Sequence, residues 1–154
     1  MQVQKISFTE IKNSYKKPTM PCDTKNYCTF DNDKVDRFVS RKEASLPFLV
    51  NTLKHTNKEE EVVESLYILD RMLEKDVKGI DKMYPVLSRF NNTKSPNIQT
   101  FLAGIYRKTQ VPDAFGPLVS MLVQNSINPP KANFDPNEEI GGAILSYMNE
   151  RFRN

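Results

Sequence analysis

Few residues in this 154-residue chain are equipped for chemistry, and their spacing limits what they can do together. His55 is the only histidine. No histidine pair, H-E-x-x-H helix or multi-histidine metal site can therefore form, and a surface place beside Lys54 is expected, although imidazole titrates near neutrality. Cys22 and Cys28 lie in a polar segment with no histidine or further cysteine nearby. Two thiolates alone cannot complete a tetrahedral zinc site. Incidental free thiols are expected, with a disulfide or redox pair as the alternative.

Carboxylates gather at Glu59-Glu60-Glu61 with Glu64, and at Glu138-Glu139. Both groups fall at the expected starts of helices, where negative charge gains about 0.3–1 kcal/mol from the helix dipole. That accounts for them without a metal or a pair of catalytic acids. The five glycines, Gly79, Gly104, Gly116, Gly141 and Gly142, build no phosphate-binding loop, dinucleotide turn or nucleophile elbow. The expectation is a non-enzymatic protein with no catalytic residues, no metal ligands and no cofactor.

The elements that must position these residues are helical. Residues 1–31 are expected to be an irregular arm or tail: Pro18, Pro21 and the Asp23–Asn26 stretch interrupt any helical period, and Val3, Ile6 and Phe8 only loosely alternate. Residues 32–154 form the expected helical domain. Val35, Phe38 and Val39 make one short stripe. Six longer segments then show apolar residues three and four apart. The spacing predicts helices over about 43–54, 58–75, 78–90, 96–109, 112–125 and 137–152. Asn57 with Glu60 is read as a capping box, Ser95-Pro96 as a cap followed by a first-position proline, and Asp135-Pro136-Asn137-Glu138 likewise. Ala103 and Gly104 are small enough to let another backbone approach.

The hydrophobic fraction of 38% and charged fraction of 27% suit one domain with a modest core. Lys and Asn are plentiful, which as composition alone carries no functional weight. The net charge of +3 is uneven: residues 1–45 hold nine Lys/Arg against six Asp/Glu, and residues 46–154 hold thirteen of each. The body thus advertises no concentrated basic face of the kind that tracks phosphates. No apolar stretch approaches the roughly 20 residues that span a bilayer, and the first residues lack the apolar run of a secretory signal. A cytoplasmic location without membrane contact is expected, and the Asn91-Asn92-Thr93 sequon is read as chance.

One internal echo organises the helices. Leu46-Pro47-Phe48-Leu49 resembles Tyr84-Pro85-Val86-Leu87, and both resemble Gly116-Pro117-Leu118-Val119. Each proline is expected inside the first helix of a pair, where an unsupported proline costs about 3 kcal/mol or more. The repetition predicts a tolerated kink. On these residues the chain resembles HEAT and armadillo-type helical-repeat proteins over about residues 43–152. It departs from them in the usual turn Asp and early basic residue of the second helix, and in the Pro129-Pro130 insertion. The resemblance implies an all-α fold, an α-solenoid of about three antiparallel helix pairs, with partners bound on the surface of the second helices.

Carried onto this chain, that surface would include Tyr67, Arg71, Tyr106, Arg107, Tyr147 and Arg151. Arginine beside aromatics suits carboxylates, phosphates and peptide backbones. The plainer account makes the arginines solvated helix-end charges and the tyrosines packing residues. The functional expectation is a scaffold that binds a protein partner through the second helices. The alternative is a nucleic-acid binder using the basic N-terminal segment and the arginines. Self-association is also open, since the last helix keeps Tyr147, Met148 and Phe152.

Overall fold

The computed structural model describes residues 30–152, with side chains to Asn149. Most of the expected arm, including Cys22 and Cys28, lies outside the described residues. The rest is helical, with no strand among the described residues. No helix among them is long and apolar enough to cross a membrane.

Helix α1, Asn32–Ser40, begins where the Asp31 carboxylate accepts from the backbone N–H of Asp33 and Lys34 at 3.0 and 3.3 Å. It buries Val35, Phe38 and Val39, the short stripe of the sequence. A 3₁₀ turn over Lys42–Ser45 leads into α2, Leu46–His55, which seals Leu49 and Leu53 from solvent. Helix α3, Glu59–Glu74, buries nine of the twelve residues from Glu61 to Met72 because other helices cover more than one side of it.

The expected cap of α3 is corrected. Lys58 occupies the cap position without a side-chain bond. Thr56 braces the helix start from further back: its hydroxyl accepts from Lys58 N–H at 3.2 Å and donates to Glu61 Oε2 at 2.6 Å. Glu61 is buried, and that bond supplies the partner a buried carboxylate requires. The Thr56–Glu61 pair stands in place of the expected Asn57–Glu60 box, but it satisfies the N–H of the cap residue Lys58 and not one of the first helical turn.

The segment expected as one helix over 78–90 is three short turns. They are a 3₁₀ turn at Ile80–Met83, α4 at Tyr84–Leu87, and a second 3₁₀ turn at Ser88–Phe90. Pro85 cannot donate, and the Ser88 hydroxyl takes up the Pro85 carbonyl at 3.0 Å, so the ladder never settles into a long α pattern. Tertiary bonds hold the segment instead. Tyr84 donates to the Asp113 carbonyl at 3.0 Å, and the Arg89 guanidinium donates to the Leu53 carbonyl.

Helix α5, Pro96–Thr109, keeps the bounds the sequence predicted. The Ser95 hydroxyl accepts from Ile98 N–H at 3.2 Å, and Gln110 ends the helix in the left-handed region at φ 56°. A 3₁₀ turn at Pro112–Ala114 opens α6, Phe115–Ile127. Helix α7, Pro136–Phe152, follows a loop and is started by Asp135, whose carboxylate accepts from Asn137 N–H at 2.9 Å.

The three echoed prolines do not kink mid-helix. Pro47 and Pro85 are the second residues of α2 and α4, and Pro117 is the third of α6. Each stands just past a 3₁₀ turn, where bonding changes from three residues back to four. A missing N–H is tolerated in the first turn of an α-helix. The echo is therefore real in the structure, as a thrice-used 3₁₀-to-α junction.

The helices pack on one core. α3 lies against α1, α2 and α5; α5 lies against α3 and α7; α6 lies against α7. Leu66, Leu69, Met72, Leu102, Ile105 and Tyr106 are wholly enclosed.

Candidate functional site

Of the six residues implied by the repeat resemblance, the five with described side chains differ in exposure. Tyr67 is half-buried, stacked on Phe30 at 4.5 Å between ring centres and edge-on to Phe101 at 5.7 Å. Tyr106 is enclosed in the core, so it offers no contact surface. Its hydroxyl donates to Asn91 Oδ1 at 2.6 Å, and burial pushes its phenol well above the ordinary tyrosine range. Tyr147 is half-buried and donates to the Val111 carbonyl at 2.6 Å, with the Tyr106 carbonyl at 3.2 Å. Burial, helped by the neighbouring Tyr84, pushes it up to about 12.

The arginines are partly exposed but held. Arg71 lies 3.6 Å from Asp36 of α1, and Arg107 Nε donates to Glu139 of α7 at 3.1 Å. The Arg151 side chain lies outside the described residues. Sequence reasoning missed the member that closes this series: Lys108 meets Asp70 at 2.7 Å and Glu74 at 3.5 Å, bridging α5 to α3. Asp70 and Lys108 stand 38 residues apart, the spacing of Pro47 and Pro85, so the repeat itself could have signalled the pair. Burial raises the Asp70 carboxyl above its usual range, with Lys108 opposing.

Gly104 sits between these ion pairs. A Cβ there would lie 3.4 Å from Glu139 Oε1 and 3.5 Å from Asp70 Oδ1. The small residue makes room for two carboxylates, not for a second backbone as expected. His55 is exposed, its Nδ1 within 3.0 Å of the Asn51 carbonyl. The acidic cluster at the start of α3 also bonds: Glu59 accepts from the Ser95 hydroxyl. Among the described residues, no three His, Cys, Asp or Glu side chains gather as a metal would require.

The best-built concavity lies elsewhere. A cleft of about 580 Å³ opens between the loop before α5, α5 itself and α6. Its lining is dominated by carboxamides: Asn91, Asn92, Gln99, Gln124, Asn125 and Asn128. Lys94 is its only charged residue, and Ser120, Thr93, Met121 and Pro130 complete it. Its volume falls in the range of ligand sites, roughly 300–1,000 Å³. A shallower depression of about 620 Å³, between α2 and α4, is lined by Leu46, Val50, Met83 and Val86, among others.

Hydrogen bonds orient the cleft floor. The Thr93 carbonyl can only accept, so the Gln99 amide nitrogen must face it, at 2.9 Å. The Gln99 oxygen then accepts from Asn125 Nδ2 at 2.8 Å, and Asn125 Nδ2 also donates to Asn137 Oδ1 at 3.0 Å. The second Gln99 hydrogen goes to Asn125 Oδ1 at 3.4 Å. Every N–H of this buried pair is spent, while each oxygen keeps a lone pair. The floor accepts; the exposed rim amides of Asn92, Gln124 and Asn128 can donate or accept.

Compared with known proteins, the chain matches no family model, no curated protein and no solved structure.

Proposed function

We propose that the chain is a non-enzymatic protein-interaction module in which three antiparallel helix pairs stack as a short solenoid. The contacts of α5 with α3 and α7 support this arrangement. So do the opposite ends of the last pair: Asn125 bonds Asn137 near one end, and Phe115 lies 5.7 Å from the Tyr147 ring near the other. The contact surface in this reading is the carboxamide cleft, in place of the second-helix row. Arg71 and Arg107 already hold carboxylates, and Tyr106 is enclosed.

The observation that carries the reading is the lining of the cleft. Six carboxamides and a single ionisable side chain make a surface for recognition, with no acid–base pair to drive a reaction. A carboxamide offers the same N–H and C=O as a peptide bond, so the cleft suits an extended polypeptide main chain. The floor oxygens would take its N–H groups, and the rim amides its carbonyls. The nucleic-acid alternative has less support, because the described arginines of the row are neutralised by Asp36 and Glu139.

Affinity selection of random heptapeptides on the full chain tests this. Selected peptides are expected to shift the side-chain amide resonances of Asn92, Gln124 and Asn128 and to lose binding to Gln124→Ala/Asn128→Ala. Selection of no peptide, or binding unaffected by that double variant, refutes the proposal.

A further inference from the structure

The carboxamide cleft does not end at its own walls. Asn92 and Thr93 also line a hollow of about 440 Å³ that reaches Asn57 and Glu59 at the start of α3. On the other side, Asn125 and Pro130 also line a hollow of about 510 Å³ that reaches Asp135 and Asn137 at the start of α7. Shared walls join these hollows to the cleft as one trough. It passes over the loops that lead into α3, α5 and α7, and each loop sets exposed asparagine in it: Asn57, then Asn92, then Asn128 with Asn133.

Helices α3 and α7 both pack on α5 and not extensively on each other, so α5 lies between them. Packed helices stand about 8–10 Å apart, which gives the trough a span of roughly 16–20 Å. An extended chain rises about 3.3 Å per residue and covers that span in about five or six residues. Charges along the path are sparse and ordered. Glu59 and Arg89 stand at the α3 end, but Glu59 already holds the Ser95 hydroxyl and Arg89 the Leu53 carbonyl. Lys94 lies in the middle and Asp135 at the α7 end, and both are exposed.

We infer that the ligand is an unfolded polypeptide segment lying along the whole trough, with an acidic side chain on Lys94 and a basic one on Asp135. This rests on the peptide reading of the cleft and adds to it a length and a charge pattern. Carboxamides at intervals along the path meet main-chain N–H and C=O groups whatever the peptide's sequence. The two exposed charges then choose among sequences, since charges at a rim set register and partner more than strength. A segment with its acid and base exchanged would bring like charges together at both places and be rejected.

Selection of random heptapeptides on the full chain, run in parallel on Lys94→Glu and on Asp135→Asn, tests it; asparagine keeps a cap for α7. Peptides selected on the parent are expected to carry an acidic and a basic residue at a fixed separation. Their binding should shift the side-chain amide resonances of Asn57 and Asn133, which lie beyond the central cleft, a readout that needs no variant. Lys94→Glu should weaken these peptides about fivefold or more and select others without the acid, and Asp135→Asn should select others without the base. Helical circular dichroism should be unchanged in both. Peptides without the paired charges, peptides indifferent to Lys94→Glu, or peptides that shift Gln124 while Asn57 and Asn133 stay still would overturn the whole-trough ligand and leave the cleft reading standing. Selection of no peptide would overturn both.

Discussion

Gly104→Ala asks whether a glycine inside a helix is kept for space. Gly104 lies within the Pro96–Thr109 span of α5, away from both ends. At such a position alanine is favoured over glycine by about 1 kcal/mol, because it loses less backbone freedom on folding. The new methyl would stand 3.4 Å from Glu139 Oε1 and 3.5 Å from Asp70 Oδ1, close to ordinary contact. Both distances lie at ordinary van der Waals contact and both oxygens are the far ends of side chains, so little of the gain is lost to crowding. The methyl also takes water from Asp70, whose carboxyl burial has already raised.

The net expectation is a stabilisation of about 0.5–1 kcal/mol. In a domain of this size that raises Tm by about 2–4 °C per kcal/mol. Further desolvation raises the folded-state pKa of Asp70 more, and a carboxyl raised in the folded state costs stability as pH rises above its unfolded value. The gain from alanine should therefore be larger in mild acid than at neutrality. Urea unfolding followed by circular dichroism at both pH values measures it. Gly104→Leu, which must push the two carboxylates aside, should destabilise. An alanine variant less stable than the parent by more than about 1 kcal/mol would show that the carboxylates cannot yield and that the reasoning is wrong.

Other expectations follow from single features. Gly79, at φ 99° with Leu46 Cδ1 only 3.3 Å from an added Cβ, should lose about 1 kcal/mol or more on change to alanine, the opposite sign to Gly104 in the same unfolding assay. Asn125→Ala strands the Gln99 and Asn137 oxygens it now serves and should cost about 1–3 kcal/mol by denaturant unfolding. Pro47→Ala and Pro117→Ala should each change stability by no more than about 1 kcal/mol, since both prolines stand in first turns; a gain near 3 kcal/mol would restore the mid-helix kink. Tyr147, pushed up to about 12 by burial, keeps its proton while the unfolded phenol ionises near about 10. Stability should fall as pH climbs through that window, and Tyr147→Phe should flatten the fall in alkaline urea titrations.

What was legible in the sequence was what depends on neighbours a few residues away. The span of α5 could be read because Ser95-Pro96 starts a helix and its apolar spacing runs unbroken to Tyr106. The break-up of 78–90 could not, because bonds to Leu53 and Asp113, far along the chain, help decide it. Thr56 was passed over for Asn57 because only the fold buries Glu61 and makes its need for a partner decisive. The cleft was equally hidden. Its amides come from the loop before α5, from α5 and from α6, and in the sequence the asparagines among them were merely part of an abundance of that residue. The tyrosine and arginine series was placed by analogy between helices. Position alone did not tell Tyr106, pointing inward, from Arg107 beside it.

Helix α7 packs more extensively on α5 than on α6, the helix that precedes it in the chain. Glu139, Ser146 and Tyr147 all bond to residues between Tyr106 and Val111. The covalent link through residues 128–135 thus matters less to its seat than the grip of α5. A chain severed in that link would behave as a two-piece protein, whose short C-terminal fragment finds the vacant groove and rejoins the remainder.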